Sequence, residues 1–180
     1  MKKILVTGFF IVSICAIRAQ TPALSDPNIK TTIQKIKDNR DHLFKSFKGE
    51  KEPDLGLGLG DSYHTKIKLY GVKGSLADND FDENMSFRIS NAEHKKATKD
   101  DFDKAFAELS GLLRSNFSDL EIREKQDEKT KELTLFEKGK DTSAPMADDR
   151  SPQYYITLKY TEEAKDFYAL FFFVVSKKKK

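Results

Sequence analysis

The most constraining feature of this sequence is one amphipathic segment that is followed only by segments of strand character. Apolar residues recur at steps of three and four between Phe102 and Phe117, the spacing of a helix with one buried face. Thr98 precedes this segment and Asp101 stands three residues later, as in a capping box. Gly111 inside the segment indicates close packing on a neighbour. We therefore predict a helix that packs its apolar face on a sheet.

Most other periodic segments alternate with period two, which is typical of half-buried strands. Strands are predicted over residues 63–70, 85–90, 120–125, 133–138, 153–161 and 167–176. An earlier helix is predicted from the apolar residues between positions 29 and 47. Asp26 is its expected N-cap, and Gly49 lies just beyond its end.

The predicted elements follow one another in the order α-β-β-α-β-β-β-β. Helices followed by runs of strands predict an α+β fold. We expect two layers, an antiparallel sheet of about six strands with two helices packed on one face, in a single domain over residues 20–180. Segments 42–47 and 111–117 resemble each other weakly. This indicates either a repeat of two α-β-β units or a chance similarity between amphipathic helices.

The last strand candidate, residues 167–175, is apolar on both of its alternating faces. Such a strand is typical of the centre of a sheet that is covered on both sides. A buried terminal helix and a membrane anchor followed by lysines 177–180 are the alternatives. Nine helical residues reach only about 14 Å, roughly half the hydrocarbon thickness of a bilayer. We therefore expect no stable membrane insertion.

Residues 1–19 have the layout of a secretory signal peptide, with two lysines, an apolar run and Ala19 at a cleavage position. Lipidation at Cys15 is the alternative, although Ile14 stands where a small residue is expected. Cleavage would remove the only cysteine, and with it any disulfide or thiolate chemistry. We predict an exported protein, periplasmic or secreted, from a bacterium.

The charge distribution argues against a nucleic-acid partner. The chain has 32 basic and 29 acidic residues, and the predicted signal peptide contains three of the basic ones and no acid, so the mature chain is neutral. Four more basic residues form the terminal lysine run, which leaves residues 20–176 acidic by four. Binding to nucleic acid draws on a clustered basic field, which this segment lacks, so we expect no such partner.

An unusual leucine–glycine segment occupies residues 55–60. A phosphate-binding loop would need a strand before it and a Lys-Ser/Thr pair opening a helix after it, and neither is present. Leu55, Leu57 and Leu59 are candidate binding residues, because glycines permit movement and exposed apolar tips mark contact sites. The alternative is a connection whose leucines close over the core.

Tyr70 and Tyr155 are the other candidate binding residues. The alternation places them with Lys66, Lys68 and Arg88 on the sheet face away from the helices. A mixed aromatic and charged surface of this kind is suited to protein recognition. The alternative is a solvated face that carries cross-strand pairs.

No metal or cofactor site is predicted. The acidic turn at residues 78–84 imitates the first ligands of a calcium loop, but Glu83 stands in place of the turn glycine and Ile89 in place of the bidentate glutamate. The three histidines have no ligand spacing.

No catalytic residue is predicted either. We expect a non-enzymatic binding or protein-interaction module whose partner is a protein, a peptide or a small apolar ligand. The alternative is a hydrolase with an Asp/Ser/His site assembled only in three dimensions. That alternative requires His64 or His42 to contact both a carboxylate and a hydroxyl in a concave pocket.

Overall fold

The computed structural model describes residues 23–42, 44–53, 60–144 and 148–178. The helices and strands in this part of the chain are α1 Ile29–Asp38, β1 Lys48–Lys51, β2 Asp61–Leu69, β3 Val72–Asp78, β4 Asp82–Ser90, α2 Lys99–Asn116, β5 Glu121–Gln126, β6 Thr130–Phe136, β7 Tyr154–Ala164 and β8 Phe167–Lys177. The predicted signal peptide, Leu55, Leu57 and Leu59 lie outside the described residues.

All of these strands belong to one antiparallel sheet in the order β1-β2-β3-β4-β8-β7-β6-β5. The α+β class with an antiparallel sheet is confirmed, but the described residues form eight strands rather than about six. The additional strands are β1, which has only four residues, and β3. Glycine, serine and alanine at positions 74, 75 and 77 leave β3 with little hydrophobic alternation, which is the signal that predicts a strand.

Each half of the chain runs through one α-helix and then a meander of four strands. The two meanders meet where β4 pairs with β8. Segments 42–47 and 111–117 do not occupy equivalent places, because the second lies in α2 and its C-cap. The first lies among two short 3-10 turns, Arg40–His42 and Lys45–Phe47. The topology therefore repeats, while the weak sequence similarity does not follow it.

The first helix is shorter than predicted. It ends at Asp38, and Phe44 between the two 3-10 turns has φ of 45°, which an α-helix does not allow. Asp26 is not its N-cap, since Asn28 takes that position without a side-chain cap. The 3-10 turns nevertheless bring Phe44 and Phe47 into the core, where both are buried.

Side chains of both α-helices pack in one hydrophobic cluster with alternate residues of the strands. The strand register aligns Leu76, Met85, Val174, Ile156 and Leu135 in one row across the sheet, and all five are buried. This row fixes which face of the sheet carries the helices, because residues two apart share a face.

The second helix begins as predicted. The Thr98 hydroxyl accepts a hydrogen bond from the backbone N–H of Asp101, and the Asp101 carboxylate accepts one from the backbone N–H of Thr98. The expectation for Gly111 is wrong, because a Cβ added there would have no atom within 4 Å.

The terminal strand β8 lies between β4 and β7, so the prediction of a central strand is confirmed and the alternative of a terminal helix is wrong. Phe172 faces the helices and is buried, whereas Phe171 and Phe173 on the other face are half-buried. The layering also differs from the expected two layers, because described residues of the connection between β6 and β7 lie against that other face. There Thr142 accepts a hydrogen bond from Arg123. None of the helices in the described ranges is long and apolar enough to cross a membrane.

Candidate functional site

A cavity of about 640 Å³ lies at the end of the sheet where β4 begins and β8 ends. We call it the end pocket. Its walls come from the 3-10 turns, from five strands and from the flanks of the β6–β7 connection. The lining residues are Arg40, Asp41, Lys45, Lys48, Asp78, Glu83, Glu137, Gln153, Tyr154, Ser176, Lys177 and Lys178.

Two lysines and two carboxylates form a charge cluster in the wall of the end pocket. The ammonium of Lys48 lies 2.5 Å from Asp78 Oδ2 and 2.7 Å from Glu83 Oε1. Lys178 Nζ lies 2.5 Å from the other oxygen of Asp78. The two positive charges therefore balance the two negative ones, as buried charges require.

The pKa values of these groups follow from burial and pairing. Burial raises the pKa of the Glu83 carboxyl, and the bond from Lys48 only partly offsets this effect. Burial acts in the same direction on Asp78, but there the hydrogen bonds from Lys178 and Lys48 prevail and lower the pKa. Burial would lower the pKa of Lys48, yet its bonds to the two carboxylates raise it. The Glu83 side chain is only 1% exposed, which makes it the most desolvated charge of the cluster.

Tyr154 forms a second part of the wall and is held by its ring. The ring stacks on Phe117 at 6.1 Å between centroids and contacts Phe44 at 6.5 Å. The guanidinium of Arg40 lies 4.9 Å from the centroid of the same ring, and Arg40 pairs with Asp119 at 2.5 Å. These contacts restrict the ring on several sides, so its hydroxyl has a defined position.

Three polar atoms of this wall are buried without a hydrogen-bond partner among the described residues, namely Asp78 Oδ1, Glu83 Oε2 and the hydroxyl of Tyr154. Asp78 Oδ1 is nevertheless ion-paired with Lys178, which leaves Glu83 Oε2 and the Tyr154 hydroxyl as the two unpartnered atoms. In the strand register Glu83 is opposite Ser176, and Ser176 is opposite Tyr154. The hydroxyl of Ser176 is used already, because it donates to the carbonyl oxygen of Arg40. Glu83 Oε2 is a carboxylate acceptor and the Tyr154 phenol either donates or accepts, but both atoms are shielded from solvent in this conformation.

The predicted exposure of Tyr70 is wrong. This residue lies in the turn between β2 and β3 with φ of 49°, which directs the side chain into the core, where it is 2% exposed. Its hydroxyl donates to Glu108 Oε2 at 3.1 Å, and its backbone N–H donates to Asp26. Burial raises the pKa of the Tyr70 phenol. Tyr70 therefore joins the sheet to α2 and presents no surface to a partner.

Tyr155 lies on the face away from the helices, as predicted. Its ring is half-buried and packs on Phe173 at 6.3 Å between centroids. Phe171 follows on the same face, with the guanidinium of Arg88 5.7 Å from its centroid. We call Tyr155, Phe171 and Phe173 the aromatic strip. Tyr155 and Tyr70 are on opposite faces, so the structure does not bring these two candidates together.

The histidine criterion for a hydrolase is not met in the described part of the chain. His64 Nδ1 lies 3.1 Å from Glu52 Oε1, and the Ser75 hydroxyl donates to that same oxygen at 3.2 Å. A catalytic triad needs the imidazole between the carboxylate and the hydroxyl, whereas here the carboxylate lies between the other two groups. His64 is 51% exposed and does not line the end pocket. His42 is exposed as well.

Within the described ranges, no group of three or more histidine, cysteine or acidic side chains could hold a metal ion. Comparison with protein-family models, with curated proteins and with solved structures finds no match for this chain. The fold itself defines the class, because the described residues form an α+β structure with one continuous antiparallel sheet.

The residues of the end pocket are not among the sequence-predicted candidates. The sequence contains one signal for these residues. In β4, Glu83 lies on the same strand face as Met85, Phe87 and Ile89. A carboxylate at an inward position of an otherwise apolar strand face indicates a buried charge. Its lysine partner, Lys48, lies 35 positions earlier in the chain, and no local pattern connects the two.

Proposed function

We propose that this chain is an exported, non-enzymatic binding protein that holds a small polar ligand in the end pocket. The observation that carries the proposal is the pair of buried polar atoms on Glu83 and Tyr154 that have no partner among the described residues and belong to the wall of one cavity. Leaving one such group unsatisfied costs about 1–3 kcal/mol, so a ligand that supplies the partners recovers this energy. Concave pockets with a few convergent polar groups are the usual sites for small molecules.

The two unpartnered atoms are shielded from solvent. A ligand reaches them when a neighbouring group moves, and Lys178 and Arg40 are the candidates. Both are long side chains that remain partly exposed, at 33% and 24%. Such side chains change rotamer quickly at a protein surface. The proposed binding step therefore combines displacement of a basic side chain with formation of hydrogen bonds at the wall.

The sequence-based prediction included a small apolar ligand bound by the leucine–glycine segment. The polar wall of the end pocket favours a different kind of ligand. Leu55, Leu57 and Leu59 lie outside the described residues, so their role stays a prediction. The described lining residues of the end pocket are almost all charged or polar. A polar ligand is therefore the better match to this cavity.

Native mass spectrometry tests the proposal. The mature protein is incubated with the small-molecule filtrate of an envelope extract, and bound species are detected by their added mass. We expect an adduct on the wild-type protein and on Tyr160→Phe, and a strongly reduced adduct on Tyr154→Phe. Tyr160 is the matched control, because its buried hydroxyl is also unpartnered but does not line the end pocket. An absent wild-type adduct, or equal adducts on the two variants, would contradict the proposal.

Export is part of the same proposal and has its own test. Cleavage of the predicted signal peptide after Ala19 leaves Gln20 as the first residue. N-terminal sequencing of the protein recovered from the envelope fraction should read from Gln20. A full-length chain that stays in the cytoplasmic fraction would contradict export without bearing on the end pocket.

A second candidate function is protein recognition through the aromatic strip. It is favoured by three half-buried aromatic rings on one sheet face beside Arg88, since aromatic residues and arginine are enriched at interface centres. A protein captured by the wild-type chain should be lost by a Phe171→Ser/Phe173→Ser double variant and retained by Tyr154→Phe. Retention by the double variant would exclude the strip as the contact surface.

A further inference from the structure

We propose that the ligand of the end pocket is a neutral polyhydroxylated small molecule, of the chemistry of a sugar. The inference rests on the proposed function and adds the chemical class of the ligand. It follows from three properties of the wall, namely its charge balance, its hydrogen-bonding capacity and the spacing of its two unpartnered groups.

The charge balance of the cluster formed by Lys48, Lys178, Asp78 and Glu83 disfavours a charged ligand group of either sign beside Glu83. An ammonium group bonded to Glu83 Oε2 would share the carboxylate with Lys48, whose own ammonium lies 2.7 Å from the other oxygen. A carboxylate or phosphate in that place would face Glu83 itself. Because interactions between charges strengthen away from water, either arrangement is costly in this desolvated wall. A hydroxyl group adds no charge.

The hydrogen-bonding capacity of the wall matches hydroxyl groups. Glu83 Oε2 needs a donor, and the Tyr154 phenol takes either a donor or an acceptor. A hydroxyl provides one donor and two acceptor sites, so one kind of group satisfies both positions. An amide supplies its donor and acceptor on different atoms and would have to match each position separately.

The positions of the two groups on the sheet favour a ligand that bears several hydroxyls. Glu83 on β4 and Tyr154 on β7 flank Ser176 on β8, so their backbones are two strand spacings, about 10 Å, apart. A ring or chain with several hydroxyls can bond to side chains on both strands, and the cavity of about 640 Å³ lies in the size range of small-molecule sites.

Isothermal titration calorimetry on the mature protein tests the chemical class. The neutral probes are glucose, galactose, mannose and maltose, and the charged probes are glucosamine and glucuronic acid. We expect at least one neutral probe to bind more tightly than both charged ones. Tyr154→Phe and Glu83→Gln should each weaken that binding about tenfold or more, the effect of losing one hydrogen bond in a desolvated site. Tyr160→Phe should leave it unchanged.

Each other outcome overturns the inference in a distinguishable way. If a charged probe binds most tightly and Tyr154→Phe weakens it, the ligand class is wrong while the end pocket remains the site. If no probe binds but the filtrate adduct depends on Tyr154, the class is again wrong and the proposed function stands. If a neutral probe binds equally to the wild type, Tyr154→Phe and Glu83→Gln, it binds elsewhere and the inference fails.

Discussion

The two ends of β7 each place a tyrosine beside a lysine–carboxylate cluster on the helix-facing side of the sheet. At one end, the ammonium groups of Lys99 and Lys131 lie 5.8 and 5.7 Å from the ring centroid of Tyr160, and both bond to Asp103. At the other end, Lys48 and Lys178 both bond to Asp78 in the wall that also contains Tyr154. Both tyrosine hydroxyls are buried and have no hydrogen-bond partner within the described part of the chain.

The difference between the two ends lies in one additional carboxylate and one cavity. Asp103 stands alone between its lysines with 26% of its side chain exposed, whereas Asp78 is joined by Glu83, which is 1% exposed. Tyr160 does not line the end pocket and Tyr154 does. An unpartnered tyrosine hydroxyl therefore occurs at both ends of β7, but only at the Tyr154 end does it accompany a second unpartnered group and a cavity among the described residues.

The largest expected effect concerns the lysine partner of the buried glutamate. Lys48→Met leaves Glu83 buried without its counter-charge, which should lower the free energy of unfolding by about 3 kcal/mol. The matched variant Lys131→Met removes a half-exposed partner while Lys99 still pairs with Asp103, so its cost should stay below about 1 kcal/mol. Urea unfolding of both variants measures the difference. Equal costs would show that the two clusters are energetically alike.

A smaller effect is expected when each tyrosine hydroxyl is removed. Tyr154→Phe and Tyr160→Phe each delete a buried group that has no partner, so the free energy of unfolding should stay unchanged or rise by up to about 1 kcal/mol. Thermal unfolding of the two unliganded variants checks this. A clear loss of stability in Tyr154→Phe would mean that the hydroxyl already has a hydrogen-bond partner, for example an ordered water. That result would contradict its proposed role in ligand binding.

The smallest effects are the shifts in carboxyl titration. The paired lysines outweigh burial and lower the pKa of both Asp78 and Asp103 below the ordinary value of 3.8, while burial raises that of Glu83 above 4.5. The ion pairs of the two aspartates therefore stabilise the fold above the ordinary carboxyl pKa, and this stabilisation is lost as the pH falls through their lowered values. Glu83 has the opposite sign, since its protonated form is favoured by folding. NMR titration of the carboxyl carbons should place Glu83 above both aspartates.

The regular parts of the fold are predictable from local patterns. α2, its capping box and the strands β6, β7 and β8 carry strong periodicity, because their buried faces are built from large apolar residues at fixed spacing. The apolar run on both faces of β8 predicts its central place. The burial of Tyr70 is not predictable in this way. Its own positive φ interrupts the alternation that begins in β2, and its side chain points into the core. Alternation alone does not reveal such a turn.

The end pocket is not predictable in the same way. Asp78 and Glu83 are opposite each other in the hairpin of β3 and β4, but Lys48, Tyr154 and Lys178 come from distant parts of the chain. Tyr154 and Lys178 reach this hairpin because β8 lies between β4 and β7, which is a long-range pairing that no local pattern encodes. Only the charged residue at an inward position of β4 is visible in the sequence, and it indicates a buried charge without naming its partners.

Tyrosine resonances compare the two clusters in a single sample and test the central claim most directly. The mature protein is labelled with ring-¹³C tyrosine and titrated with the small-molecule filtrate of the envelope extract. We predict that the ring signals of Tyr154 shift in a saturable manner while those of Tyr160 stay in place. Unmoved Tyr154 signals, or equal shifts of Tyr160, would contradict the assignment of the end pocket as the binding site.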